Sequence, residues 1–216
     1  MIKHYYTIAR DGVVETEVKK SRFICHLKRV SSEAEAQEYI QMIKKEHWKA
    51  THNCVAYLIG DYNDVQRAYD DGEPSGTAGV PMLEVLKKQE VKYILAVVTR
   101  YFGGTKLGAG GLIRAYGKSV SLALEEIGIV SRNLQVQISV TVSYSASGKL
   151  ENNLKESPYT LVDILYTHQV TFICSVDEEK VDDFKKELTN WLNGQVEFEE
   201  GKMSYQESKR LNRSNP

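Results

Sequence analysis

Glycine is concentrated in one part of this chain, where nine of its fifteen glycines fall between Gly72 and Gly117. Glycine adopts backbone conformations with positive φ, and because it has no side chain it lets neighbouring groups approach closely. The densest run, residues 100–114, joins a predicted strand to a predicted helix. We therefore expect a turn of specified backbone geometry at the start of that helix.

Hydrophobic periodicity predicts an α+β fold in two domains, with a boundary near residues 128–133. Before the boundary, strand patterns are interleaved with helical ones. After it, the predicted order is strand, helix, strand, strand, helix, strand, which is the ferredoxin-like βαββαβ order. We assign residues 1–130 to the first domain, 134–206 to the second and 207–216 to a flexible tail.

Composition places the chain among soluble globular proteins, with 42% hydrophobic and 26% charged residues in 216. No apolar run approaches the roughly 18 residues that span a bilayer, and the first residues lack the apolar segment of a secretory signal. The three cysteines are widely spaced and odd in number, which argues against a disulfide framework. We predict a cytoplasmic protein.

The net charge of −1 predicts no general affinity for nucleic acid, but the charge is unevenly distributed. Residues 1–132 carry 19 Lys and Arg against 16 Asp and Glu, whereas the rest of the chain is net negative. Between Lys87 and Lys118, seven basic residues accompany a single acid, Glu90. This basic window is a candidate anion-binding surface.

The glycine run within the basic window suggests a site for phosphate or carboxylate, since glycine amides and a helix N-terminus both favour anions. Two standard nucleotide motifs fail, because a Walker loop and a dinucleotide fingerprint would need glycine where Leu112 and Ile113 stand. The alternative is that the glycines only form a tight turn and allow close packing. The candidate binding residues are Arg100, Gly103, Gly104, Lys106, Gly108, Gly110, Gly111, Arg114 and Lys118.

An acidic segment, residues 70–79, precedes the basic one and contains Asp70, Asp71 and Glu73. It could hold Mg²⁺ or orient the cations of the glycine run. The alternative is a solvated turn that leads into a helix capped by Ser75 or Thr77. Three carboxylates without a fixed coordination spacing are a weak metal signal, so we assign no metal site.

His52 and Cys54 alternate at the start of a strand, so their side chains point to the same face. A Cys–His nucleophile would also need an orienting group and an oxyanion donor, which the sequence does not locate. The alternative is that Cys54 packs as a small hydrophobe. We assign no catalytic residue and keep both as possible supporting residues.

Aromatic residues flank these segments. Trp48 and Trp191 lie in or near predicted helices, and we expect them to anchor their cores. Tyr101 and Phe102 adjoin the cations of the glycine run. An exposed one could stack on a base, whereas a buried one would be a core aromatic.

The segments 50–57, 70–79 with 81–83, 97–108 and 110–116 together resemble the IMPACT family and its bacterial YigZ/YvyE-like members. The resemblance covers roughly residues 1–130, and the remainder looks like the C-terminal domain of the bacterial members. It implies a first domain similar to the fourth domain of elongation factor G, including a left-handed βαβ crossover. It also implies a ferredoxin-like second domain similar to that factor's fifth domain.

The resemblance implies a role in translation, because eukaryotic IMPACT proteins look like translation regulators that restrain the amino-acid-starvation kinase. Bacterial members have no settled biochemical activity. We therefore expect a non-enzymatic protein, without cofactors, that binds RNA, the ribosome or a translation factor through the basic glycine run. One alternative is an enzyme or sensor for a small phosphorylated ligand, with Mg²⁺ between the two segments. Another is a regulatory module that binds only protein.

Overall fold

The computed structural model describes residues 2–210, which divide into two compact units. The first unit comprises residues 5–131 and 208–210, and the second comprises residues 2–4 and 132–207. Strands β1 (His4–Ile8) and β7 (Ile129–Val142) each contain residues of both units. Both units combine helices with strands, so the predicted α+β class with two domains is confirmed.

The first unit is built on a five-stranded sheet whose order is β2-β3-β6-β4-β5. Its strands are β2 (Gly12–Val18), β3 (Ser21–Arg29), β4 (His52–Ile59), β5 (Val65–Tyr69) and β6 (Ile94–Tyr101). All neighbours in this sheet are antiparallel. The strands β3 and β4 therefore begin where β6 ends. We call this edge the glycine end of the sheet, because the glycine run follows β6.

Helices cover both faces of this sheet. On one face, α2 (Gly79–Lys88) and α3 (Ala109–Ile127) pack with buried residues such as Met82 and Tyr116. On the other, α1 (Glu33–Glu46) packs through Ile40 and Ile43. The central strands β4 and β6 are consequently buried on both faces, and this double burial holds the start of β4 and the end of β6 in fixed positions.

The second unit follows the predicted ferredoxin-like order. After β7 come α4 (Tyr144–Glu156), β8 (Thr160–Tyr166), β9 (Val170–Asp177), α5 (Val181–Trp191) and β10 (Glu197–Lys209). Its sheet has the order β1-β7-β9-β8, and β10 pairs with β7. Buried residues of α4 and α5, including Leu150 and Phe184, form a core with the alternate inward residues of β7 and β9.

The end of β10 differs from the predicted tail. Residues 207–209 belong to β10, which pairs with β7 and extends to Lys209. Residues 211–216 of the predicted tail lie outside the described residues.

Cys25, Cys54 and Cys174 are all free and buried. Burial raises the pKa of Cys174 to about 11 and that of Cys54 to about 12. These thiols therefore behave as small core side chains. Within residues 2–210, no helix combines the length and the apolar character needed to cross a bilayer.

Candidate functional site

The turn between β6 and α3 is largely exposed, including Gly104, Lys106 and Gly108. Gly104 has a φ of +85° and Gly108 a φ of +69°. Both values lie in the left-handed region that favours glycine. These two glycines therefore set the path of the turn.

The other glycines of the run differ in their surroundings. A Cβ at Gly103 would lie 2.0 Å from the carbonyl carbon of Lys20, and one at Gly111 would lie 3.1 Å from Leu107 Cβ. Close packing thus explains Gly103 and partly explains Gly111. At Gly110, a Cβ would meet no atom within 4 Å outside its own helix backbone, and φ is not left-handed. Neither packing nor backbone conformation requires glycine at position 110.

The N-terminus of α3 has no side-chain cap. Its N-cap is Gly108, and its first turn contains no acidic residue. The first amide groups of a helix lack intrahelical acceptors and carry partial positive charge. Lys106 and Arg114 are exposed on either side of this terminus. Neither forms an ion pair within residues 2–210.

Arg100 does not belong to this exposed group, which corrects its predicted role as an anion contact. It is only 5% exposed, and its Nη1 donates to Glu73 Oε1 at 2.6 Å. Its Nη2 donates to Ser21 Oγ at 3.3 Å, and the guanidinium lies over the rings of Phe23 and Phe102. Because its charge is already matched in the core, Arg100 is not available to a ligand.

Asp70 caps α2 from outside the helix. Its carboxylate accepts hydrogen bonds from the backbone N–H groups of Gly76, Ala78 and Gly79 at 2.8–3.0 Å. Burial raises the pKa of Asp70, but these three bonds together bring it below its ordinary value. The predicted cap by Ser75 or Thr77 is wrong, since no side chain at the N-cap position of α2 bonds the helix and Thr77 Oγ1 donates to Pro74 instead.

The remaining acids of this segment are also engaged. Asp71 accepts from Asn53 N and from Lys44 Nζ, both at 2.7 Å. Glu73 is 8% exposed and accepts from the Tyr116 hydroxyl at 2.7 Å as well as from Arg100. Among the described residues, no group of three or more His, Cys, Asp or Glu is arranged to hold a metal ion. The acidic segment orients Arg100 and fixes α2, and it offers no cluster of free carboxylates.

His52 and Cys54 lie beside this segment, but they do not form a nucleophilic pair. His52 Nδ1 is 2.8 Å from the carbonyl oxygen of Asp71, and its Nε2 is 3.7 Å from Glu73 Oε2. The Cys54 thiol donates to the Asp70 carbonyl at 3.0 Å. With its pKa raised to about 12 by burial, Cys54 stays protonated at neutral pH.

The structure divides the basic window between the two ends of the sheet. Lys87 and Lys88 end α2 shortly before β6 begins, whereas Lys106 follows the end of β6. The eight residues of β6 separate these groups by roughly 25 Å. Lys118 is exposed further along α3. The window is therefore not one continuous surface.

Four residues at the glycine end were not predicted as site residues, and the three lysines among them supply positive charge that Arg100 does not. Lys19 and Lys20 form the exposed turn between β2 and β3, and Lys49 is exposed before β4. Trp48 is 73% exposed, which corrects its predicted role as a core anchor. The basic and aromatic run at residues 44–49 was the available sequence signal.

Two family models match the chain. Residues 19–124 match the model described as "Impact N-terminal domain". Residues 140–195 match a "Domain of unknown function (DUF1949)". Each match lies largely within one of the two units.

Full-length relatives are similar to the chain over both units. It is 55% identical to "IMPACT family member YvyE" of Bacillus subtilis, covering 96% of this chain and 95% of that protein. It is 35% identical to "IMPACT family member YigZ" of Escherichia coli, covering 86% of this chain and 92% of that protein. A crystal structure of a hypothetical protein, 32% identical, superimposes with a TM-score of 0.60 and covers 92% of this chain and 97% of that one.

Proposed function

The chain belongs to the IMPACT family, and on that premise we propose that it is a translation-linked, non-enzymatic protein that binds RNA through the glycine end of its first sheet. The link to translation comes from the eukaryotic members of the family, which the resemblance describes as translation regulators. The RNA contact would be made by Lys106, Arg114 and the exposed backbone of residues 104–110. RNA, whether free or within the ribosome, offers the phosphates that such a surface attracts.

The observation that carries this proposal is the uncapped start of α3 beside exposed, unpaired cations. Gly110 supports it further, because glycine in a helix costs up to about 1 kcal/mol relative to alanine and neither packing nor backbone geometry requires it there. A ligand backbone that approaches the helix closely would account for it. The absence of a side chain at 110 would then serve binding rather than folding.

The rival proposal, a small phosphorylated ligand with Mg²⁺ between the two segments, has less support. Asp70, Asp71 and Glu73 already accept hydrogen bonds from backbone, lysine, arginine or tyrosine donors. An ion there would have to displace these partners. The geometry therefore favours a polyanion at the glycine end.

We expect Lys106→Ala with Arg114→Ala to reduce the salt dependence of RNA binding. Loss of two phosphate contacts should lower the magnitude of the slope of log K against log salt by about 1.4 for a single strand. Fluorescence anisotropy with a labelled RNA across salt concentrations measures this slope. The matched control is Lys87→Ala with Lys88→Ala, which removes two charges at the opposite end. Equal slopes for the two double variants would contradict the proposed surface.

We expect Gly110→Ala to weaken RNA binding several-fold without destabilising the protein. Its free energy of unfolding should stay equal or rise by at most about 1 kcal/mol, since alanine has the higher helix propensity. Gly148→Ala is the matched control, because Gly148 lies in α4 and is equally open. Urea unfolding and anisotropy on both variants make the comparison. If Gly110→Ala bound RNA as the wild type does, the glycine would have no role in binding.

A further inference from the structure

Resting on the proposed function, we infer that the glycine end is a site for single-stranded RNA in which the Trp48 indole stacks on an unpaired base. Lysines from three turns would contact the flanking phosphates. The site combines three segments that are distant in sequence, residues 19–20, 48–49 and 102–106, and the first two have no role in the proposed function.

Trp48 is exposed on a turn whose backbone is fixed. The C-cap His47 donates its backbone N–H to Ile43 O at 2.8 Å, and Ala50 N donates to His47 O at 2.8 Å. The His47 ring nitrogen Nδ1 is 3.0 Å from the Tyr101 hydroxyl, which ties the turn to the end of β6. The large indole nevertheless remains 73% exposed. A fixed turn that presents an indole to solvent is a preformed stacking platform.

Hydrogen bonds join this turn to the glycine run. Thr51 N donates to Arg100 O at 2.9 Å, and Phe102 N donates to Thr51 Oγ1 at 3.2 Å. Phe102 is 47% exposed, with the Arg100 guanidinium 5.6 Å from its ring centroid. Two exposed aromatic side chains are therefore held at the same edge of the sheet.

The turn between β2 and β3 completes the surface. Lys19 and Lys20 have φ of +48° and +67°, and both are exposed. The backbone of Lys20 packs directly on Gly103, which leaves no room for a side chain at 103. The position of the two lysines relative to the glycine run is therefore set by backbone packing.

The lysines at this end lack partners that other cations of the unit have. Arg22, Lys28 and Lys44 each pair with a carboxylate at 2.7–3.2 Å. In the part of the chain that the structure describes, no ion pair is formed by Lys19, Lys20, Lys49 or Lys106. Lys49 Nζ lies over the Trp48 ring, 5.0 Å from its centroid, so this cation covers one face of the indole and a base would stack on the other face. Glu17 near the end of β2 and Glu46 at the end of α1 are exposed acids next to these turns, and they are fewer than the lysines.

An exposed aromatic beside free cations fits unpaired nucleotides better than a duplex. A base can stack on a side chain only if it has left its own stack, whereas a duplex presents mainly phosphates and sugars. We therefore expect preference for single strands, with little dependence on base sequence. A surface that used lysines alone would bind both single and double strands through their phosphate charge, without the preference that base stacking gives.

The test uses the tryptophan itself as reporter. In a Trp191→Phe background, Trp48 is the sole tryptophan, and an unlabelled oligouridylate of about 12 nucleotides should quench its fluorescence on binding. Trp48→Ala in the full chain should weaken binding of the labelled strand about tenfold while leaving the salt slope unchanged. Lys19→Ala with Lys20→Ala should instead reduce the magnitude of the slope of log K against log salt by about 1.4. A duplex of equal length should bind more weakly and without quenching.

The matched control is Tyr62→Ala, which removes an 83% exposed aromatic at the opposite end of the sheet. Tyr62→Ala should bind RNA as the wild type does, and both Trp48→Ala and Tyr62→Ala should unfold at the wild-type temperature. Wild-type affinity in Trp48→Ala, or equal affinity for strand and duplex, would overturn the inference and leave the proposed function standing. Failure of the wild-type protein to bind any RNA would remove both.

Discussion

Replacing Glu73 with glutamine is expected to cost about 3–5 kcal/mol of folding free energy, because it leaves the Arg100 charge buried without a counter-charge. Glu73 is 8% exposed and Arg100 is 5% exposed, so water can compensate little. Glutamine keeps the volume and an acceptor for the Tyr116 hydroxyl. The expected loss therefore arises from the charge rather than from packing.

Urea unfolding combined with hydrogen exchange of the β6 amides would measure this effect in the first unit alone. The double variant Glu73→Gln with Arg100→Met removes both charges and should recover most of the lost stability. Tyr116→Phe is the control that deletes only one hydrogen bond, and it should cost clearly less. A loss below about 1 kcal/mol in Glu73→Gln would show that the pair is not buried in solution.

The burial of this pair also explains why Arg100 could not be assigned correctly from the sequence. Every second residue of β6 points to the same face of the sheet, and these residues are Ile94, Ala96, Val98 and Arg100. Only the tertiary structure shows that α2 and α3 cover this face as far as Arg100. Its partner Glu73 is 27 residues earlier, in a segment that has no regular structure. In the sequence, a cation beside several glycines indicates a ligand site. In the fold, the Arg100 guanidinium instead binds the Glu73 carboxylate at 2.6 Å.

Features that depend on neighbouring residues in the chain were predicted well from the sequence. The left-handed φ values of Gly104 and Gly108 are one example, because the turn between β6 and α3 requires them. The βαββαβ order of the second unit follows from period-two and helical patterns within short windows. By contrast, β1 was not predicted, because its five residues pair with β7 more than a hundred residues later.

The proposed surface includes residues that the sequence did not indicate, for a similar reason. Lys106 is exposed in the turn before α3 and Arg114 is exposed on that helix, but Lys19, Lys20 and Trp48 reach the same edge only through strand pairing. Because Trp48 lies near a predicted helix, we expected it to be buried. However, α1 ends at Glu46, and Trp48 lies in the turn that follows, where it is exposed. Surfaces made from several turns depend on topology, which short windows do not contain.

Acidification from pH 7 to pH 5 is expected to cost about 2 kcal/mol of stability through His26 alone. His26 is 4% exposed on β3, and its ring centroid is 5.3 Å from that of His47. Burial, and then the neighbouring His47, lower the pKa of His26 from 6.5 to about 4, while Glu46 acts in the opposite direction. The groups that face His26 are thus another imidazole and one exposed carboxylate, with the Tyr101 hydroxyl bonded to His47.

The sign follows from proton uptake. The unfolded chain protonates this imidazole near pH 6.5, but the folded chain resists protonation until about pH 4, so the unfolded state binds more protons between these values. Stability therefore falls as the pH falls through this window, and the interval from pH 7 to pH 5 lies above the ordinary pKa values of Asp and Glu. Urea unfolding at several pH values should show a much shallower dependence in His26→Leu. His168→Gln, which removes an exposed histidine from the turn after β8, should keep the wild-type dependence. If His26→Leu lost as much stability as the wild type between pH 7 and pH 5, the acid sensitivity would have to originate in other groups.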